Sequence, residues 1–376
     1  MTASIRTWLV SRVAVIILVL GIAAVAGIGA EVHPQASGWW WLDRFTYWDS
    51  FHFTRIADEG WFTPTRRCCD QSYFPGYPLA MRWLASVLPG PTALAGWLIT
   101  LFTGTVAAGA LYQLARADGL PDLGARRAVL LLAVAPFTVF TVAVYSEALW
   151  LAAALVAWWA ARAQRWALSA LAASVATATR ITGLFLLAGL AVGYAVTARS
   201  RAQEHGWGRV AARALWLGVP VLPVVAFMSY LYTQTGSWFA WREAQVIGWG
   251  RHSSTPWGGV VGQWESLIRA PSGWLLFPRV LDLVAVLLGL ALTAVLLSRP
   301  RWWPEAAYVG VSVLAIMATS RWDSAGRYAL TWFPAYLVLA YWLQGRSRRW
   351  TVLALGASGL VATAVTVWFA TRHWIG

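Results

Sequence analysis

Long apolar runs separated by short polar turns make up most of this chain. The first run, 9–30, is about long enough to cross roughly 30 Å of hydrocarbon at 1.5 Å per residue, whereas the apolar region of a cleaved signal peptide has roughly 7 to 15 residues. We therefore interpret it as a retained transmembrane helix. The pattern predicts about eleven spans in all, the others lying close to 92–115, 127–143, 145–161, 166–179, 182–198, 212–232, 279–298, 303–319, 327–344 and 351–370.

Some of these runs are short for a membrane crossing. The stretches 127–161 and 166–198 each contain two runs near or below the roughly 17-residue lower limit for a straight span. Each stretch could therefore be a hairpin that penetrates the bilayer only part of the way.

The composition points to the same class of protein. With 59% hydrophobic residues, a mean hydropathy of +0.58 and 12% charged residues over 376 positions, a soluble domain would have too much apolar surface to bury. The sequence thus predicts an all-α, polytopic bundle of transmembrane helices that forms a single membrane domain over 1–376.

The distribution of charge predicts an orientation. If the N-terminus is cytoplasmic, the cytoplasmic turns hold 16 Arg and 4 acidic residues, a net +12, and the other side holds 13 Arg and 11 acidic residues, a net +2. The positive-inside rule then places two long loops, 31–90 and 233–278, outside the cytoplasm. Because the positive charge is spread over short turns, anionic membrane lipids explain it and a nucleic-acid partner is not indicated. All 29 basic residues are Arg, which suggests a GC-rich bacterial genome and hence the bacterial plasma membrane.

The first outer loop contains the densest group of polar and aromatic residues, at 48–60. If this segment is helical, Asp49 and His52 are three residues apart, and Trp48 and His52 four, so the three side chains share one face. Phe45 and Ile56 would then rest on the bilayer surface, as in an interfacial helix.

Rare charged residues from later turns fall on the same predicted side. A charge at the centre of a spanning helix costs roughly 2.5 to 3.5 kcal/mol on insertion scales, so embedded charges are functional candidates or mutual partners. A carboxylate, several guanidinium groups and aromatic rings in one place suit a phosphate-bearing lipid. Besides Asp49 and His52, the group comprises Glu147, Arg180, Arg321, Asp323 and Arg327.

Four motifs, in order along the first half of the chain, resemble the PIG-V family of membrane mannosyltransferases. They are W-D-x-x-H-F-x-x-I-A-x-x-G at 48–60, Y-F-P-G-Y-P at 73–78, P-F followed by Y-S-E-x-L at 136–149, and A-T-R-x-x-G at 178–183. After Gly183 only Arg327-Tyr328 with Phe333-Pro334 is similar to the family's late motifs. The resemblance implies a GT-C fold, a polyprenyl-phosphate sugar as donor, and a lipid or glycan acceptor.

The resemblance also implies roles for individual residues. Transfer with inversion needs a base for the acceptor hydroxyl, and the Trp-Asp position of the first outer loop assigns that role to Asp49. Arg180 and Arg327 are the candidates that compensate the leaving phosphate. Trp48, His52, Tyr145 and Glu147 are further candidates for substrate binding. A lipid monophosphate has no diphosphate for a metal to bridge, so the chemistry requires no metal and no cofactor.

Each assignment has a structural alternative. Asp49 could cap the helix, since Asp is a common N-cap. His52 could bond a backbone carbonyl, Tyr145 could be an interfacial anchor, and Glu147 with Arg180 could be a structural ion pair. The adjacent Cys68 and Cys69 could form a vicinal disulfide, remain free thiols or pair with another molecule.

Two other functions compete with a glycosyltransferase. A transporter or flippase of a lipid-linked sugar should place its ionisable residues near the bilayer midplane, between repeated halves, and no repeat is visible in this sequence. A non-catalytic membrane assembly factor should tolerate the loss of Asp49.

The charge asymmetry gives a testable topology. Single Cys residues introduced at Ser72 and Ser253, in a background without Cys68 and Cys69, should react with a membrane-impermeant maleimide added to intact cells or spheroplasts. A Cys at Ser347 should react only after lysis. The reverse pattern of labelling would place the first outer loop in the cytoplasm.

Overall fold

The computed structural model describes residues 1–28, 36–63, 68–270 and 273–375. Regular secondary structure in these ranges is helical, which confirms the all-α prediction. The helices are α1 (Thr2–Val25), α2 (Asp49–Glu59), α3 (Gly76–Ala85), α4 (Thr92–Ala117), α5 (Asp122–Ala133), α6 (Glu147–Arg162), α7 (Trp166–Thr179), α8 (Gly183–His205), α9 (Trp207–Ala214), α10 (Leu222–Thr235), α11 (Ala240–Trp249), α12 (Pro256–Ile268), α13 (Gly273–Leu297), α14 (Trp303–Met317), α15 (Ala325–Thr331), α16 (Pro334–Gln344) and α17 (Arg348–Ala370).

Six helical segments of the described chain are long and apolar enough to cross a membrane, so this is a multi-pass membrane protein. They are Thr2–Val25, Thr92–Ala117, Gly183–Glu204, Trp207–Thr235, Gly273–Leu297 and Arg348–Ala370. Three of the remaining predicted spans correspond to shorter helices, α6 with 16 residues, α7 with 14 and α14 with 15. The predicted span 327–344 is divided, because α15 ends at Thr331 and α16 begins at Pro334.

The apolar run 127–143 is not one continuous helix. It begins inside α5, which ends at Ala133, and continues as a 3-10 turn over Thr138–Thr141. Pro136 accounts for this break, because proline lacks the N–H that would continue the helix and disfavours helical backbone at the residue before it. The buried Arg12 guanidinium of α1 donates to the carbonyl oxygens of Ala133 (2.5 Å) and Thr138 (3.1 Å). The side chain thereby satisfies acceptors that a helix end leaves without partners.

Long-range hydrogen bonds attach the first loop to the segment before α6. The Phe45 carbonyl accepts from the backbone N–H of Val144 (2.8 Å), the Val144 carbonyl accepts from the Ser50 hydroxyl (2.9 Å), and the Tyr47 carbonyl accepts from the Tyr145 hydroxyl (2.9 Å). These bonds bring the start of α2 next to the start of α6.

The prediction that Phe45 and Ile56 rest on the bilayer surface is wrong. Both side chains are fully buried within the protein. Phe45 packs near Trp97 of α4, and Ile56 belongs to a separate cluster with Trp61 and Phe74. Protein helices, rather than lipid, therefore cover the apolar faces of this loop.

A group of charged side chains lies at the C-terminal end of α6. Arg162 forms ion pairs with Glu305 and, at 3.4 Å, with Asp118, and Trp158 donates to Glu305 (3.0 Å). Trp158 is thus a buried hydrogen-bond donor. Residues 147 and 162 are about 22 Å apart along α6. They therefore lie at opposite ends of the helix, consistent with the opposite sides of the membrane that the charge distribution predicts for them.

A close helix crossing determines where α8 lies. A Cβ added to Gly189 would meet the Pro304 carbonyl oxygen and the Trp158 ring, each at 2.7 Å, and the Cβ of Tyr308 at 2.9 Å. One turn later the same test at Gly193 gives ordinary contacts of 3.4 Å. Of the two glycines, Gly189 is therefore the position at which α8 approaches α14 more closely.

Gly189→Ala should lower the melting temperature in detergent, because overpacking a tight contact costs about 1 to 3 kcal/mol. Gly193→Ala is the matched control on the same helix and should leave the melting temperature unchanged or raise it, since Ala favours helix over Gly by about 1 kcal/mol. Equal melting temperatures for the two variants would contradict the close crossing.

Candidate functional site

Asp49 is the first residue of α2 and its carboxylate bonds to distant side chains. Oδ2 accepts from Nη1 of Arg327 (2.7 Å), and Oδ1 accepts from the Tyr73 hydroxyl (2.9 Å). The N-cap of α2 is Trp48, so Asp49 is not the capping residue that the structural alternative proposed. The ion pair joins residues 278 positions apart, from the first loop and α15.

The surroundings of Asp49 favour its ionised form. Burial acts to raise the pKa of Asp49, but the charge of Arg327 and its hydrogen bond outweigh burial and hold this pKa below its ordinary value. Burial and the neighbouring carboxylate raise the pKa of Tyr73 well above that of a free phenol. Tyr73 therefore remains a neutral hydrogen-bond donor beside an ionised acceptor.

Glu147, at the start of α6, is shared between two arginines. Its Oε1 lies 2.5 Å from Nη1 of Arg180 and 3.6 Å from Nε of Arg327. The side chain is 1% exposed, and its Oε2 has no hydrogen-bond partner in the described residues. We name Asp49, Glu147, Arg180 and Arg327 the charged quartet.

His52 contacts a carboxylate that sequence reasoning missed. Its Nδ1 lies 2.7 Å from Oδ1 of Asp70, and Arg55 donates to Oδ2 of the same carboxylate (3.0 Å). Burial acts to raise the pKa of Asp70, but these two partners hold it below its ordinary value. The His52 ring also stacks on Tyr73, with ring centroids 4.7 Å apart, so His52 supports the residue that bonds Asp49. Asp70 could not be singled out because 68–72 belongs to none of the motifs.

Trp48 and Tyr145 make aromatic and cation–π contacts next to the charged quartet. Trp48 has a φ of 53°, a value that side-chain-bearing residues rarely adopt, and its ring packs edge-on against Tyr47 and Phe369. Tyr145 is fully buried, and its ring lies 5.2 Å from the Arg327 guanidinium. Packing contacts thus enclose Tyr145, whereas Trp48 packs against aromatic rings and remains partly exposed.

A cavity of about 410 Å³ opens in front of the quartet. Three of the quartet residues line it, Asp49, Arg180 and Arg327, while Glu147 lies behind them. A cavity of this size falls in the range of small-molecule sites. Aromatic rings and further guanidinium groups that sequence reasoning did not assign complete the lining, chiefly Phe53, Phe74, Trp241, Trp249, Trp374, Arg251 and Arg279.

Among the described residues, no group of three or more His, Cys, Asp or Glu side chains is arranged to hold a metal ion. Cys68 and Cys69 are joined by a disulfide, which selects one of the alternatives left open by the sequence.

No protein-family model matches this chain, and no curated protein matches it either. Among solved structures, it is similar to the oligosaccharyltransferase of Archaeoglobus fulgidus in the apo form, with a TM-score of 0.48 and 12% identity. The same oligosaccharyltransferase tethered to an acceptor peptide gives a TM-score of 0.48 and 13% identity. The matches cover 96% and 97% of this chain, which spans about half of those proteins, 56% and 55% of their length.

The pair Glu147–Arg180 can be tested by a double-mutant cycle. Glu147→Gln or Arg180→Gln alone leaves a buried charge without its partner and should destabilise the protein by about 3 to 5 kcal/mol. The double variant Glu147→Gln/Arg180→Gln should regain most of that loss, as measured by melting in detergent. Losses that simply add in the double variant would show that the two charges are not coupled.

Proposed function

We propose that this protein is an integral-membrane inverting glycosyltransferase of the GT-C type. Its donor would be a polyprenyl-phosphate sugar, with mannose as the sugar that the PIG-V resemblance implies, and its acceptor a lipid or glycan. The observation that carries the proposal is Asp49, an ionised carboxylate on the wall of a cavity, with arginine side chains of the same cavity beside it.

The proposed reaction uses these groups in one displacement. The acceptor hydroxyl oxygen forms a bond to the anomeric carbon of the donor while the bond from that carbon to the phosphate oxygen breaks. The hydroxyl proton passes to the Asp49 carboxylate, and the electron pair of the broken bond leaves with the phosphate. Fixed guanidinium groups in the cavity stabilise the charge that develops on the departing phosphate.

Tyr73 and Arg327 prepare Asp49 for this role. Together they occupy one lone pair on each carboxylate oxygen, which fixes the orientation of the group. A carboxylate has about four acceptor positions, so positions remain for a substrate hydroxyl. The low pKa of Asp49 keeps its acceptor form present at neutral pH.

The arrangement of charges fits an enzyme better than a transporter. A transporter is expected to hold its coupling charges near the midplane of the membrane between repeated halves. Here the charged quartet lies at one end of α6, about 22 Å along that helix from Arg162 at its other end, and no repeat is visible in the sequence. We place this end of the protein on the extracytoplasmic side of a bacterial plasma membrane, as the charge asymmetry predicts.

Asp49→Asn should lower turnover at least a hundredfold, because the amide keeps the size of the side chain but cannot accept the proton. The measurement is transfer of label from radiolabelled polyprenyl-phosphate mannose to a membrane lipid extract by purified protein. Asp58→Asn is the matched control, an exposed acidic residue on the same helix, and should retain activity within twofold.

Two results would contradict the proposal. An Asp49→Asn variant with activity close to wild type would remove Asp49 from the mechanism. A wild-type protein that moves the intact lipid-linked sugar between leaflets of a vesicle, without transferring label, would identify a flippase.

A further inference from the structure

The arginines of the cavity differ in whether a carboxylate already neutralises them. Arg327 is paired with Asp49 and Arg180 with Glu147. A third pair, between Arg321 Nε and Asp323 Oδ2, measures 3.0 Å. An incoming phosphate that took any of these three cations for itself would leave the partner carboxylate unpaired, and for the buried Glu147 this is costly.

Arg251 is in a different situation. It lies two residues after the end of α11, is half-buried, and donates through Nη2 to two neutral oxygens, the Asp323 carbonyl (2.6 Å) and the Ser324 hydroxyl (3.1 Å). In the described ranges no carboxylate oxygen lies within 4.0 Å of its guanidinium. Because a guanidinium carries five N–H donors, these bonds leave Nη1 and Nε for a ligand.

Arg251 lies at the boundary between two cavities. A second cavity of about 350 Å³ lies beside the first, and Arg251 and Tyr328 line both. The Arg180 guanidinium lies 5.3 Å from the centre of the Tyr328 ring, and Arg251 lines the same two cavities as Tyr328. Cationic groups thus gather around one hydroxyl at the boundary between the cavities.

The second cavity has the lining that an amphiphilic ligand needs. Phe185, Ile316 and Trp322 supply apolar surface, and Arg251 and Arg321 supply positive charge. Phe185 lies near the start of α8, a membrane-spanning helix, so the apolar part of this cavity adjoins a helix that passes through lipid. A phosphate with an isoprenoid chain combines the two chemistries.

We propose that Arg251, together with the Tyr328 hydroxyl, binds the phosphate of the lipid donor at the boundary of the two cavities. The inference rests on the proposed function and revises the roles assigned from sequence. Arg251 is then the phosphate ligand, while Arg180 and Arg327 hold the carboxylates in place. The isoprenoid chain occupies the second cavity, and the sugar enters the first, where Asp49 lies.

Arg279 is the rival for this role. It also lines the first cavity without a carboxylate partner in the described residues, and it donates to the Ser266 carbonyl. It does not line the second cavity. A ligand whose isoprenoid chain occupies the second cavity should therefore depend on Arg251 more than on Arg279.

The test is binding of radiolabelled farnesyl phosphate, which carries no sugar, to purified protein in phosphatidylcholine nanodiscs. Arg251→Gln should weaken binding at least tenfold, and Arg251→Lys should weaken it less because the charge remains. Arg279→Gln should change affinity less than threefold, as should Arg269→Gln, an exposed arginine outside both cavities. Melting of each variant in detergent checks the fold, and Arg251→Lys keeps the test valid if Arg251→Gln does not fold.

Competitors identify the ligand. Unlabelled farnesyl phosphate should displace the label, whereas farnesol, which has no phosphate, and phosphatidate, which has no isoprenoid chain, should do so at least tenfold less well. Equal competition by phosphatidate would identify a general lipid-phosphate site and overturn the assignment of the second cavity. Unchanged binding by Arg251→Gln, or a larger loss in Arg279→Gln, would overturn the role of Arg251.

Measuring binding and transfer on the same variants distinguishes a failure of the inference from a failure of the proposed function. Asp49→Asn should bind farnesyl phosphate at least as tightly as wild type while losing transfer, because Asp49 contacts the reacting hydroxyl and its removal frees Arg327 from a carboxylate partner. A wild-type protein that binds farnesyl phosphate through Arg251 but transfers no sugar would contradict the proposed function and leave the role of Arg251 in phosphate binding intact. An Arg251→Gln variant that binds farnesyl phosphate normally and transfers sugar would contradict the inference and leave the proposed function intact.

Discussion

The ion pair between Asp49 and Arg327 connects the two halves of the chain at the site. Asp49 begins α2 directly after Trp48, with a φ of 53°, and Arg327 lies in α15, which follows Ser324 with a φ of 75°. Each backbone turn is unfavourable for a residue with a side chain and persists only where the surrounding structure imposes it. The pair sets the ionisation of the carboxylate, its orientation and the register of α15 against the first loop.

Glu147 extends this constraint to the helical hairpin. One of its oxygens faces both Arg180 and Arg327, so a single buried carboxylate joins α6, the end of α7 and α15. Two carboxylates and two guanidinium groups balance in the charged quartet, and the four residues therefore form a nearly neutral unit in a poorly solvated place. Such a unit positions groups well but has little charge to spare for an anionic ligand, which is why an arginine outside the quartet matters.

The sequence predicted the helical class and the membrane location because apolar runs and scarce charge are properties of composition and period. It also singled out all four quartet residues, since charges are rare in apolar surroundings. It could not predict Asp70 or Arg251, because neither stands in a motif and each acquires its partners only through distant contacts. Phe45 and Ile56 were misplaced for the same reason: an apolar face does not reveal whether lipid or protein covers it. The break after Ala133 follows from Pro136 nearby in the sequence. The side chain that satisfies the Ala133 carbonyl, Arg12, lies more than a hundred residues earlier and could not be predicted.

The short hairpin of α6 and α7 sets the depth of the cavity. Helices of 16 and 14 residues are about 24 and 21 Å long, less than the roughly 30 Å of a bilayer's hydrocarbon. A straight hairpin of this length therefore falls roughly 6 to 9 Å short of a full hydrocarbon crossing. If Arg162 and Arg165 lie at one aqueous surface, the proposed lipid phosphate would meet its ligands below the other surface, and its isoprenoid units would stay in the bilayer throughout.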